Sequence, residues 1–371
     1  MAEPLKNQFG PGIPRRIAAQ IEAVHPAFDS AAFLRDALDG YETLELMDRG
    51  RRIADALRRH LPDDYEAALR IVLDSVDRAP APAGGGSLAA FFYLPHTCFV
   101  ASHGLDHFEA SMQAQYRLTQ RFTAEFSIRP FLERHPQATL DRLAAWAQDA
   151  NEHVRRLVSE GTRPRLPWAP RLRAFQRDPG PVLALLERLR DDPSPTVRRS
   201  VANNLNDIGK DHPDRLLETA RRWWVDGGQE RRELIRHALR TAVKRADPQA
   251  LSLLGVGEPA QVRLDAVRIT PARPRLGESV RIAFRLSASG AQPQRLQVDL
   301  RVHFVKASGK ARPRVFRLRT LELASGASVD LARTVSLADL TTRRHHPGWH
   351  AVEAQINGRV HPLGGFELVP G

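Results

Sequence analysis

Two periods of apolar spacing divide this chain of 371 residues. Up to about residue 254, apolar positions recur at steps of three and four, as in Leu140, Leu143, Ala144 and Ala147. That spacing lines one face of an α-helix. It predicts helices over Ala31–Leu38, Asp48–His60, Asp64–Val76, Thr139–Ala147, Val154–Glu160, Pro181–Arg190, Val197–Ile208, Pro213–Trp224 and Arg231–Arg245. Asp29 and Asp214 stand where helix-start residues are expected, and Ala79–Ser87, rich in Pro and Gly, reads as a loop. Past Leu254, residues 255–261 read as a linker and the period changes to two. Strands are predicted over Val262–Ile269, Ser279–Leu286, Leu296–Phe304, Val315–Leu323, Ser328–Val335, His350–Ile356 and Phe366–Val369. Asn357-Gly358 between the last two is a hairpin signal.

A short phrase repeats within the helical part. Asp149-Ala-Asn-Glu-His-Val154-Arg155-Arg156 returns 43 residues later as Asp192-Pro-Ser-Pro-Thr-Val197-Arg198-Arg199. A degenerate copy, Asp226-Gly-Gly-Gln-Glu-Arg231-Arg232, follows. Such a period marks a helical solenoid of the HEAT type, in which each unit buries its apolar stripe against the next. Seven short strands in about 110 residues suggest an immunoglobulin-like sandwich. The expected architecture is multidomain, α then β: a HEAT-like α-helical solenoid over 1–254, the linker 255–261, and an immunoglobulin-like β-sandwich over 262–371.

Charge points to a polyanionic partner. The net charge is +12, mostly from arginine, which suits bidentate phosphate contacts. From Gln261 onward there are 18 Lys+Arg against 8 Asp+Glu, so the strand region carries +10 and the first 260 residues +2. High-GC coding bias is the competing explanation of the arginine content. One cysteine, Cys98, excludes an internal disulfide and a cysteine-based zinc cluster, and a reducing cytoplasm is expected. No apolar run reaches membrane-spanning length, and the N-terminus lacks a signal-peptide core.

The sequence carries no nucleotide-binding glycine loop and no Gly-x-Ser-x-Gly. His103 and His107, four apart, would need a third ligand to hold a metal, and no metal is expected. Carboxylates are the remaining candidates. Glu125 lies in an apolar, aromatic run, either as a reacting group or as a salt-bridge partner of Arg129. Glu160 and Asp207 fall at the ends of the helices that follow the two Val-Arg-Arg phrases. An acid there opposes the helix dipole, although a solvated helix end would also place one there. Between them lies Gly161-Thr-Arg163-Pro-Arg165-Leu-Pro-Trp168-Ala-Pro-Arg171, stiffened by proline. Arginines around an aromatic suit a phosphate backbone beside a stackable face, and packing of Trp168 between repeats is the competing reading. Candidate nucleic-acid contacts are Arg155, Arg156, Arg163, Arg165, Arg198, Arg199, Lys210 and His212. In the strand region they are Arg312 and Arg314, read as one strand face with Arg317 and Arg319, together with Arg343 and Arg344. A merely solvated basic face is the alternative for the strand set.

Five phrases together resemble the AlkC branch of the AlkD-like DNA alkylation repair glycosylases. They are Pro4–Gly10, His103–Glu109, Thr123–Phe131, Asn151–Trp168 and Val197–Pro213. The resemblance spans the helical part. The strand region resembles, by position and class, the Ig-like domain of some members. It implies a monofunctional glycosylase that excises cationic N3-methylated bases, chiefly 3-methyladenine and also 3-methylcytosine, from duplex DNA without a cofactor. It further implies that Glu125, Glu160, Asp207 and Trp168 line the site and that the strand domain clamps the duplex. A monomer with no membrane association, nucleoid-associated when on DNA, is expected. Lys210 is expected to contact phosphate rather than form a Schiff base. The competing function is a non-catalytic HEAT-type nucleic-acid-binding protein.

Overall fold

The computed structural model describes residues 5–78, 89–256, 259–339 and 344–371. The expected loop at Ala79–Ser87, Pro4 of the N-terminal phrase and the candidate contact Arg343 lie outside them. The helices are α1 (Gly12–Val24), α2 (Ser30–Leu38), α3 (Leu46–His60), α4 (Tyr65–Arg78), α5 (Leu94–His103), α6 (Phe108–Thr119), α7 (Ile128–Arg134) and α8 (Pro136–Trp146). They continue as α9 (Glu152–Gly161), α10 (Arg173–Arg177), α11 (Gly180–Leu189), α12 (Pro195–Ile208), α13 (Pro213–Val225), α14 (Gln229–Ala238), α15 (Arg240–Lys244) and α16 (Pro248–Leu253). The expected helix Arg231–Arg245 is in fact two, α14 and α15, broken at Leu239. α5 escaped the periodicity because its residues from Leu94 to Val100 are all buried, so no polar face interrupts the apolar one. His103 ends α5 and His107 precedes α6, so they do not share a helix. His103 meets Asp55 at 3.1 Å, and His107 stacks on Tyr65.

The described residues form two compact units. One comprises the chain up to His212 with Gly227–Ala238, and the other comprises Pro213–Asp226 with Leu239–Gly371. Three helices, α13, α15 and α16, therefore belong with the strands, although the composition changes only near 255. No helix among the described residues is long and apolar enough to cross a membrane.

The repeated phrase is a joint between helical layers. Asp149 turns the chain by accepting from the Asn151 amide at 2.8 Å, and Asp192 does the same with Ser194. Arg155 reaches back to the carbonyls of Asp149 and Ala150 at 2.8 and 2.9 Å. Arg198 repeats this on Asp192 and Pro193 at 2.6 and 2.9 Å. Arg155 also clamps the Asp192 carboxylate bidentately, at 2.6 and 3.0 Å, and links one copy to the next. Val154 and Val197 are fully buried beneath. In this way α9 packs on α12, and α12 packs on α14.

The strands are β1 (Val262–Thr270), β2 (Ser279–Ala288), β3 (Gln294–Val305), β4 (Ala311–Leu323), β5 (Ser328–Ser336), β6 (Gly348–Ile356) and β7 (Arg359–Leu368). They pair antiparallel in two sheets, β1-β2-β5 and β4-β3-β6-β7. Alternate residues of β2 (Val280, Ile282, Phe284, Leu286) are buried with Leu296, Val298, Leu300 and Val302 of β3. Asn357 and Gly358 both have positive φ, as the tight hairpin requires. A bulge at Val298/Asp299 changes the face of β4. Arg312, Arg314 and Arg319 lie opposite Phe304, Val302 and Val298, whereas Arg317 lies opposite Asp299 on the other face. The four arginines therefore do not form one row. Arg317 instead donates to the buried Asp299, whose carboxyl is pushed above its ordinary range by burial.

Burial of His96 in α5 gives the helical unit a pH response. The ring is fully buried against Phe92 and Tyr93, and burial lowers its pKa from 6.5 to about 4. The unfolded chain binds a proton that the folded chain refuses between those values. Stability is thus complete above pH 6.5, falls as pH drops, and levels off near pH 4. The loss is on the order of 3 kcal/mol. Urea unfolding followed by far-UV dichroism should show this slope in the native chain and a shallower one in His96→Phe, since burial also lowers the pKa of His103, His345, His350 and His361. An unchanged slope in the variant would contradict the assignment.

Candidate active site

Three acids are held in place by cations around the loop that follows α9. Glu160, in the last turn of α9, is 6% exposed, and Asp207, near the end of α12, is 1% exposed. One guanidinium joins them: Arg163 donates to Glu160 Oε1 at 2.6 Å and to Asp207 Oδ2 at 2.8 Å. The second oxygen of each acid is also engaged. Ser200 donates to Glu160 Oε2 at 2.6 Å, and Lys210 donates to Asp207 Oδ1 at 2.7 Å. Burial acts against the Arg163 cation, but the two carboxylates outweigh it and raise its pKa. Neither acid is a solvated helix end.

Glu125 precedes α7 and is differently placed. Its Oε2 accepts from Thr123 at 2.7 Å and from Arg156 at 2.9 Å. Among the described hydrogen bonds, none reaches Oε1. The expected bridge to Arg129 does not form. Arg129 is buried and donates instead to the carbonyls of Gly161, Arg163 and Pro170 at 3.1, 2.9 and 2.5 Å. Burial lowers its pKa to about 10. Arg129 thereby fixes both ends of the loop that carries Trp168. The approach of α9 to α7 requires Gly161, since a Cβ there would stand 2.5 Å from Ile128 Cγ2. Asn204, fully buried on α12, adds a tie to the Ser159 carbonyl at 2.8 Å and to Thr162 at 3.0 Å.

Trp168 does not pack between repeats. It is 67% exposed, and its φ of 64° lies in the left-handed region that a bulky side chain rarely adopts. The fixed loop therefore presents an indole to solvent at a backbone cost of order 1–3 kcal/mol.

The expected phosphate contacts of the helical unit are engaged to different degrees. The Arg155 and Arg163 guanidiniums are engaged inside the helical unit, Arg155 in the joint and Arg163 between the acids. Arg198 is also committed to its joint carbonyls. Arg165 forms a bidentate pair with Asp211, which holds that carboxyl below its ordinary value. His212 meets the Gln176 carbonyl at 2.8 Å. Arg199 meets His237 at 2.8 Å. The Arg156 and Lys210 side chains, paired with Glu125 and Asp207, are 27% and 33% exposed; Arg165 is 26% exposed and Arg199 is exposed. In the strand unit Arg312, Arg314 and Arg344 are exposed, and Arg314 lies over the Phe316 ring at 4.9 Å. Among the described residues no group of His, Cys, Asp and Glu could hold a metal. Sequence reasoning missed the anchoring by Arg129, because its partners are carbonyls 32 to 41 residues away.

Comparison with known proteins is consistent across the chain. Residues 119–245 match the family described as "DNA alkylation repair enzyme". Residues 263–370 match the family described as "Uncharacterised protein YhaZ, C-terminal Ig-like domain". The uncharacterized protein YhaZ of Bacillus subtilis (strain 168) is 36% identical over 96% of this chain and 97% of its own length. The alkylpurine DNA glycosylase AlkC of Pseudomonas fluorescens, solved bound to DNA containing an abasic site analog, is 39% identical. It aligns with a TM-score of 0.91 over 99% of this chain and 100% of its own.

The buried position of Arg163 has a measurable consequence. Arg163→Met leaves two buried carboxylates without their shared cation and should cost roughly 3–5 kcal/mol. Chemical denaturation of the full chain checks this. A variant within about 0.5 kcal/mol of the native protein, the range of ordinary surface substitutions, would show that Arg163 is not a structural cation.

Proposed function

This chain belongs to the family of DNA alkylation repair proteins that carry a C-terminal Ig-like domain, and from that premise we propose a monofunctional DNA glycosylase. Its substrates are cationic N3-methylated bases in duplex DNA, chiefly 3-methyladenine and also 3-methylcytosine. The observation that carries the proposal is that Glu160 and Asp207 share Arg163 at one end of a loop that presents Trp168. The likeness to an alkylpurine glycosylase along the whole chain supports it.

A methyl group on N3 makes the base cationic and weakens the glycosidic bond. As that bond breaks, its electron pair leaves with the base and neutralises it, while the sugar gains oxocarbenium character. Buried carboxylates stabilise such a cation, and the exposed Trp168 indole offers it a π face. A water oxygen then bonds to the sugar C1′. Glu125 retains an accepting oxygen and takes the water proton. Glu160 and Asp207, with both oxygens engaged, act as fixed charge.

In the free protein these charges are balanced by nearby cations. Arg163 is too buried to move, but Arg156 and Lys210 are partly exposed. On DNA they turn to phosphates, which leaves Glu125 and Asp207 less neutralised at the moment positive charge develops on the sugar. Arg312 and Arg314, exposed on β4, clamp the duplex from the strand unit.

Single-turnover excision and DNA binding, measured side by side, test this account. Glu125→Gln should lose at least about 100-fold in excision and keep its affinity for DNA within about threefold. Lys210→Ala and the pair Arg312→Gln/Arg314→Gln should each weaken binding and flatten its salt dependence by about one slope unit per cation removed. Equal losses of binding and excision in Glu125→Gln would make that acid structural. An unchanged salt slope would remove the corresponding cation from the DNA interface.

A further inference from the structure

Past Trp168 the arginines lose their acidic partners. Arg155, Arg163 and Arg165 each hold a carboxylate at close range. Arg171, Arg173 and Arg177 are exposed, and among the described residues none of them forms an ion pair. Among the described hydrogen bonds, Arg173 donates to the Gln176 side-chain oxygen at 3.3 Å, and Arg171 and Arg177 donate to none. The one acid of residues 168–178, Asp178, accepts from the Gly180 amide at 2.9 Å.

The backbone beneath these three cations is fixed. Arg129 holds the Pro170 carbonyl, and the Leu172 amide donates to the Pro164 carbonyl at 3.3 Å. Leu172 and Phe175 are buried. Gln176 is tied twice, its carbonyl to His212 at 2.8 Å and its side-chain amide to Asp211 at 3.2 Å. Arg173 and Arg177 are the first and last residues of α10, four apart and on one face. Like charges at that spacing repel each other, and a cation in the first turn opposes the helix dipole. Three arginines without acidic partners, held on an anchored segment against this repulsion, suit a row of anions. Neighbours at that helical spacing stand about 5–6 Å apart at Cβ, close to the separation of adjacent phosphates along one strand.

We propose that Arg171, Arg173 and Arg177 form a phosphate-binding strip for one strand of duplex DNA, and that the strip positions this strand against Trp168 and the acids. The positioning role rests on the glycosylase reading; the phosphate strip rests on the arginines alone. Phosphate contacts carry no sequence information, so the strip grips damaged and undamaged DNA alike.

Affinity of the full chain for an undamaged duplex, and for the same duplex with an abasic-site analogue, tests the strip when measured across a range of salt. Arg171→Gln, Arg173→Gln and Arg177→Gln should each flatten the salt dependence by about one slope unit on both duplexes, and the triple variant by about three. Arg171→Lys keeps the charge and should keep the native slope. Loss of slope in that variant would assign the effect to loop structure and overturn the proposal, as would a native slope in the triple variant. Single-turnover release of methylated base, at saturating protein and low salt, should fall about tenfold or more in the triple variant, because a shifted strand holds the sugar away from the acids. A flattened slope with a native release rate overturns the positioning role and leaves the phosphate strip standing. Flattened slopes with no release by the native protein overturn the glycosylase reading and leave the strip standing. Tighter binding of an RNA duplex of the same sequence, lost in the triple variant, overturns DNA as the partner.

Discussion

The site depends on one buried guanidinium. Arg163 lies between Glu160 and Asp207, which come from two different helices and are both removed from water. A carboxylate so buried is tolerated only when paired and hydrogen-bonded. Arg163 meets that requirement for both acids at once, and Ser200 and Lys210 complete it. The same residue opens the loop that carries Trp168, so the position of the acids and the presentation of the indole are linked. Arg129 closes the arrangement from α7 by holding carbonyls at both ends of that loop. The loop is therefore rigid enough to keep Trp168 in an unfavourable backbone conformation.

The repeated phrase contributes in two ways. Its aspartate and first arginine build the joint between layers, as Arg155 does on Asp149, Ala150 and Asp192. Its second arginine is left for other partners, Glu125 for Arg156 and His237 for Arg199. A pair of adjacent arginines is thus divided between architecture and site.

Much of this was legible in the sequence where the signal is local. The seven strands follow from alternation, and β2 shows it plainly, with Val280, Ile282, Phe284 and Leu286 buried between exposed arginines. Helices with one polar face were also legible. α5 was not, because burial on every side erases the period. The bulge that sends Arg317 to Asp299 was hidden for a related reason, since one extra residue reverses facing without altering the composition. Glu160 and Asp207 were singled out by their helix-end positions, Glu125 by its apolar, aromatic run, and all three by family likeness. Their mutual arrangement was not legible, because Arg163 lies three residues from Glu160 but 44 from Asp207.

The central claim is that these carboxylates break a glycosidic bond rather than merely accompany DNA binding. The most direct measurement is the amount of free 3-methyladenine released from methylated duplex DNA by the native protein, followed in time against the spontaneous rate. The account predicts release well above that rate with no added metal or cofactor, leaving unbroken strands with abasic sites. Retained DNA binding with release no faster than the spontaneous rate would contradict it and leave a non-catalytic DNA-binding solenoid.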